Sequence, residues 1–224
     1  MNLKKMISSL VILVLVFGMA AVLKAQGTDS YRWTIFSLEG ELYLKALTDL
    51  KKEKFAEAAK TYEELALRKP FALRPRFLLA TTYYKMGNFQ EAVKTCEDLQ
   101  RWFPVDLRRM GRSFFKNMYY SQLYYILGTA YANLHRYPDA VNAFQQILKS
   151  HNYKVTNSSL ARIYCLLPLD RNAFYALVHY HLGTSYISMG DKDAALEQYK
   201  KLKKLDQEKS EKLYNLIIGK ESAV

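Results

Sequence analysis

Cysteine is scarce in this chain, with Cys96 and Cys165 the two among 224 residues. Neither lies in or just after the apolar run near the N-terminus, which excludes the acyl attachment of a bacterial lipoprotein. An oxidising compartment would permit one bridge between them, although two buried unpaired thiols are the commoner outcome for such placement. Metal and nucleophile motifs are missing as well: no HExxH and no CxxC occurs. His179 and His181 are two residues apart, so on a helix they point in different directions and do not pair as ligands. GKES near the end has no upstream glycine to make a phosphate loop, and GTSYISMG (183–190) lacks the spacing of a nucleophile elbow. The carboxylates are mostly interleaved with lysines, as on solvated helix faces. These absences leave no catalytic group, no metal site and no cofactor site, and the chain is expected not to be an enzyme or to take a small-molecule substrate.

Acid is also in short supply. Thirty-three Lys and Arg face twenty-one Asp and Glu, for a formal net charge of +12. Losing residues 1–25 would remove Lys4, Lys5 and Lys24 and no acid, so the excess survives. It is clustered: Arg68, Lys69, Arg74 and Arg76 surround Pro70, while Arg101, Arg108, Arg109, Arg112 and Lys116 have Asp106 as their nearby acid. Such a patch either attracts an anionic membrane surface, an envelope polymer or an acidic partner, or is an ordinary solvated surface. No known nucleic-acid module is present.

What the chain has in abundance is a periodic mix of small and aromatic residues. LGTAYANLHRYPDAVNAF (127–144) shares its template with FLLATTYYKMGNFQEAVKTCEDLQRWFP (77–104) and HLGTSYISMGDKDAALEQYKKL (181–202). In both halves of each copy apolar residues recur at three- and four-residue steps, so each copy is a helix, a turn and a second helix. Gly128, Gly183 and Ala80 in the first helix, with Ala92, Ala140 and Ala195 in the second, allow the helices of a copy to approach closely.

The pattern L-G-x2-Y, then A-x3-F, then P, with a period of about 34 residues, resembles the tetratricopeptide repeat. The third copy carries Leu127-Gly128, Tyr131, Ala140 and Phe144. The second has Leu79-Ala80, Tyr83, Ala92 and Pro104, with Cys96 where an aromatic is usual. The fourth has Leu182-Gly183, Tyr186, Ala195 and Tyr199, with Gln207 where proline would end the helix. The first has Ala58, Tyr62 and Pro70, but Asp49 replaces an aromatic. The resemblance implies an all-α, right-handed α-solenoid of helix-turn-helix repeats, here four: residues 39–72, 73–106, 121–154 and 176–209. Residues 26–38 lead into the first helix.

Two inserts interrupt the array. Residues 107–120 read as a loop and then an N-terminal extension of the next helix, starting near Ser113. Residues 155–175 read as a short helix ending before Pro168, with Asp170 capping the helix that follows. Residues 210–224 supply a capping helix, with Leu213, Leu216 and Ile217 on its buried face, of the kind a stack of repeats needs to cover its last apolar surface. At the other end, Lys4 and Lys5 precede an uncharged run from Met6 to Leu23. Residues 1–25 fit either a cleaved secretory signal or a membrane anchor. Both readings put the repeats outside the cytoplasm, in the periplasm if the cell is bacterial.

In the family that the repeats resemble, the first helices line a concave groove that grips a protein or peptide partner. The resemblance places Tyr43, Phe77, Tyr125 and Tyr180 along that groove, with Thr81, Thr129 and Thr184 one turn on and Tyr84 beside them. An aromatic row beside hydroxyls suits a peptide or a helix. It departs from the chaperone-binding branch, whose grooves use lysine and asparagine to clamp a terminal carboxylate. Two outcomes stand: the row is an open groove, or it is filled by the chain's own residues 113–120 or its terminal helix.

Overall fold

The computed structural model describes residues 38–69, 72–109, 114–150 and 170–219. The chain divides into a short N-terminal unit, Met1–Leu42, and a main unit, Tyr43–Val224. Among the described residues nine α-helices occur and no strand. They are α1 (Leu38–Lys51), α2 (Phe55–Arg68), α3 (Leu73–Lys85), α4 (Phe89–Arg109), α5 (Phe114–Asn133), α6 (Tyr137–Ser150), α7 (Arg171–Ser188), α8 (Lys192–Leu202) and α9 (Gln207–Ile217). The first eight pair as the two helices of four successive repeats and the ninth covers the last, making an all-α solenoid.

One turn geometry recurs in all four repeats. The fifteenth residue, counted from 39, 73, 121 and 176, has a left-handed backbone: Glu53 (φ 59°), Gly87 (φ 75°), His135 (φ 57°) and Gly190 (φ 79°). At each site the next backbone N–H reaches back to the carbonyl five residues earlier. The bonds are Lys54 to Asp49 (2.9 Å), Asn88 to Tyr83 (3.0 Å), Arg136 to Tyr131 (2.9 Å) and Asp191 to Tyr186 (2.9 Å). This closure satisfies the last carbonyls of the first helix and turns the chain into the second. Asp191 then caps α8 by accepting from the Ala194 N–H at 3.0 Å, and Asp206 does the same for α9 through Lys209 at 3.0 Å.

The boundaries differ from the sequence pattern where neighbours intervene. Helix α4 runs through Pro104 to Arg109, into what the spacing reads as the start of an insert. Helix α5 begins at Phe114, beside the expected extension near Ser113. Helix α7 starts at Arg171, ahead of the repeat template, and Asp170 caps it by accepting from the Ala173 N–H at 2.7 Å. Gln207 opens α9 rather than lying at the end of the fourth repeat, because the chain turns after Leu202. The first 37 residues, Cys165 and the short helix expected before Pro168 lie outside the described residues. Among the described residues no helix is long and apolar enough to cross a membrane.

Each helix from α2 to α9 packs on the next, first helices also meet, α3 with α5 and α5 with α7, and α7 touches the capping helix α9. A methyl group on Gly128 would stand 2.6 Å from the Phe144 ring, so glycine lets α5 and α6 close on that aromatic. Gly183 makes a different contact from the expected one. Its missing side chain admits Leu213 of α9, which a methyl would meet at 2.6 Å. The capping helix thus uses the small-residue slot of the last repeat. Leu213 and Ile217 are buried there with Ala176, Ala195 and Leu202.

A second device ties repeats together. The tyrosine at position eleven of a repeat meets the residue at position twenty-five of the one before. Tyr83 donates to Glu63, Tyr131 donates to Glu97 at 2.8 Å, and Gln145 donates to the Tyr186 hydroxyl at 3.0 Å. Between the third and fourth repeats Tyr125 also pairs with Nε2 of His181 at 3.1 Å, beside Phe144 and Phe174. Burial pushes the His181 imidazole down to about 4, and burial likewise lowers His179.

Three outcomes follow from this packing. Ala140 is fully buried, so Ala140→Glu is expected to lower unfolding free energy by about 3–5 kcal/mol in a urea titration. Glu53→Gly relieves a left-handed residue and is expected to raise it by about 0.5–1 kcal/mol, read as a higher melting temperature. His181 is held neutral in the fold, whereas the unfolded chain takes up a proton near 6.5. Its stabilising share is complete above that value and declines as the pH falls towards about 4. The full loss is at most about 3 kcal/mol. Denaturant midpoints at pH 7 and pH 4.5 should differ less in His181→Gln than in the parent chain.

Candidate partner-binding face

The expected groove residues separate by depth. Phe77 and Thr81 on α3, with Tyr125 and Thr129 on α5, are buried. They are core, and an open row through these four positions is corrected. The physical reason is the packing of α3, α5 and α7 as neighbours: the fifth and ninth residues of the two central repeats fall between helices rather than on a free face. Thr129 also has its hydroxyl committed, donating to the carbonyl of Tyr125 at 2.8 Å. The ring of Tyr125 lies edge-on to Phe144, with centroids 6.2 Å apart.

Four of the expected residues keep partial exposure. Tyr43 on α1 is half-buried, its ring edge-on to Tyr62 at 6.3 Å. Tyr84 on α3 is half-buried beside Phe89, with centroids 6.2 Å apart. Tyr180 and Thr184 on α7 are half-buried too, and the Thr184 hydroxyl donates to the His181 carbonyl at 2.9 Å. Tyr180 packs against the cluster that includes Leu213, so α9 covers one side of it. Filling by the terminal helix is therefore partial and falls on the last repeat.

One turn beyond the buried row the first helices present a different set. Ala132 and Ile187 are half-buried while Asn133 and Ser188 are exposed, in register with Tyr84 and Lys85. Of these only Tyr84 belonged to the expected groove. The signal was available in the chain: seven and eight residues after Phe77, Tyr125 and Tyr180 the side chains become smaller or more polar. His181, which spacing shows only to be unable to pair with His179 as a metal ligand, is the partner of Tyr125.

The basic patch is placed in part. Arg101 is exposed and pairs with Asp98 at 3.5 Å. Arg108 and Arg109 fall in the last turn of α4, and Lys116 in the first turn of α5. Arg112 lies outside the described residues. Cys96 is a free thiol, fully buried, and burial raises its pKa.

Comparison with known proteins agrees with this geometry. Tetratricopeptide-repeat family models match residues 49–111 and residues 176–209. No curated protein matches the chain. Among solved structures, MamA from MSR-1 superposes with a TM-score of 0.54 at 20% identity, covering 80% of this chain and 82% of that one. MamA from AMB-1 gives 0.54 at 19% identity, covering 85% and 83%. TTC0263, a thermophilic TPR protein of Thermus thermophilus, gives 0.51 at 18% identity, covering 94% and 96%. At such identities the likeness is one of fold. Four helical hairpins in the family register, joined by recurrent inter-repeat bonds and matched by two family models, make this chain a tetratricopeptide-repeat protein, with the architecture of a protein-interaction scaffold.

Proposed function

We propose that the protein is a non-enzymatic adaptor that holds a partner peptide or helix along its first-helix face, between Tyr84 on α3 and Tyr180 and Thr184 on α7. The observation that carries this reading is the contrast within that face. Residues at the fifth and ninth positions of the central repeats are buried, whereas Tyr84, Tyr180, Thr184, Asn133 and Ser188 keep surface on helices that pack directly on one another. Tyrosine offers a large apolar ring with a polar tip at low entropic cost, and asparagine and serine add adaptable hydrogen bonds.

Because the core beneath this face is already ordered, the partner segment bears most of the ordering cost on association. The lysines before the N-terminal apolar run support a place outside the cytoplasm, secreted or anchored, where an envelope assembly would be served.

Tyr84 and Tyr180, each replaced by a photoreactive residue and irradiated in the native cell, are expected to crosslink to another protein identified by mass spectrometry. Crosslinks confined to residues of this chain would overturn the adaptor reading. Tyr180→Ala should weaken the isolated complex by about tenfold, a change of about 1.4 kcal/mol, and lower the melting temperature little.

A further inference from the structure

A cleft of about 520 Å³ opens beside the junction of the third and fourth repeats, and none of the residues assigned above to partner binding lines it. One stripe of α7 lines it, on which Arg171, Tyr175 and His179 recur at four-residue steps. Gln145, Leu148 and Lys149 of α6 and Lys201 of α8 complete the lining. Three cationic side chains and an imidazole therefore converge, and among the described residues no carboxylate lines the space. The arrangement has an ordered base. The Arg171 guanidinium lies over the Tyr175 ring, 5.6 Å from its centroid, which leaves its N–H edges for a ligand.

His179 is buried, with 8% of its surface exposed, and its orientation is set by a neighbour. The Gln198 amide donates to the Ala194 carbonyl at 3.5 Å, so its oxygen faces His179 Nδ1 at 2.9 Å. Nδ1 therefore carries the hydrogen of the neutral ring and donates it, leaving Nε2 as the other polar atom of a buried side chain lining the cleft. Lys201 stands close enough to disfavour a positive charge on this ring. An anion placed among Lys201, Arg171 and Lys149 offsets that repulsion, and the imidazolium it favours donates from both nitrogens.

We propose that this cleft binds an organic phosphate of the phosphomonoester class. The dianion matches three converging cations with no acid among the lining residues. The volume exceeds what a bare phosphate fills and lies in the range of small-molecule sites. Leu148 and the exposed part of Tyr175 give an apolar group of the ligand a surface beside its phosphate. The same chemistry is presented by a soluble aryl or sugar phosphate and by the headgroup of a phosphomonoester lipid.

The test uses the full chain, with phenyl phosphate followed by calorimetry and vesicles containing phosphatidic acid followed by co-sedimentation. Saturable one-to-one binding of phenyl phosphate, weakened about tenfold by Arg171→Gln and by Lys201→Gln, supports the proposal with a soluble ligand. Binding to phosphatidic acid vesicles alone, lost in the same two variants, supports it with a lipid source. Lys200→Gln is the control, because Lys200 pairs with Glu197 at 2.6 Å outside the cleft. All three side chains are exposed, so melting temperatures should stay within a degree or two and separate lost binding from lost fold. No saturable binding of either probe, or an equal loss in Lys200→Gln, overturns the proposal.

Discussion

A helical hairpin of some thirty residues cannot bury its apolar face by itself, and this constraint governs the molecule. Each first helix must lie between neighbours, so its inward residues are shared with the next repeat. Phe77, Tyr125 and Phe174 are buried for that reason, and the same demand explains why α9 exists. Without α9 the last repeat would expose Ala176, Ala195 and Leu202. Gly183 shows how closely the end is fitted, since its absent side chain is the space that Leu213 occupies.

Apolar burial is non-directional, and the repeats need register as well. The recurring bond between a position-eleven tyrosine and the polar residue at position twenty-five of the preceding repeat supplies it at three junctions. Each bond contributes modestly, on the order of 1 kcal/mol, yet it selects one sliding position of a repeat on its neighbour. The left-handed turn residue fixes the hairpin angle in the same repeated way. Two of the four turns use glycine, while Glu53 and His135 hold that backbone with a side chain. The same closure bond is made in all four turns, whether glycine or a residue with a side chain stands there.

This rigidity has a consequence for function. A face made by helices already fixed in register can present side chains without reorganising, which is what a scaffold requires. It also makes the junctions themselves sites. Where α6 and α8 flank α7, the side chains of two repeats meet, Arg171, Tyr175 and His179 among them, and a cleft with its own chemistry results. Neither repeat alone holds the full set of charges.

The chain by itself determined the class of fold and the placement of most helices, because three- and four-residue spacing is a local property that each hairpin carries. The small residues at Ala80, Gly128 and Gly183 marked close contacts, and Asp170 announced a helix start. What tertiary structure alone decided was which side of an aromatic residue meets solvent. Tyr125 and Tyr180 occupy equivalent places in their repeats, yet Tyr125 is enclosed by α6 and α7 while Tyr180, in the last repeat, is covered on one side by α9. Pro104 likewise looked like a helix end, but α4 continues past it to Arg109. The cleft over α7 was equally hidden, since Lys149, Arg171 and Lys201 are far apart in sequence and converge only when successive repeats stack. Spacing specifies a face; the number and order of neighbours determine how much of that face remains.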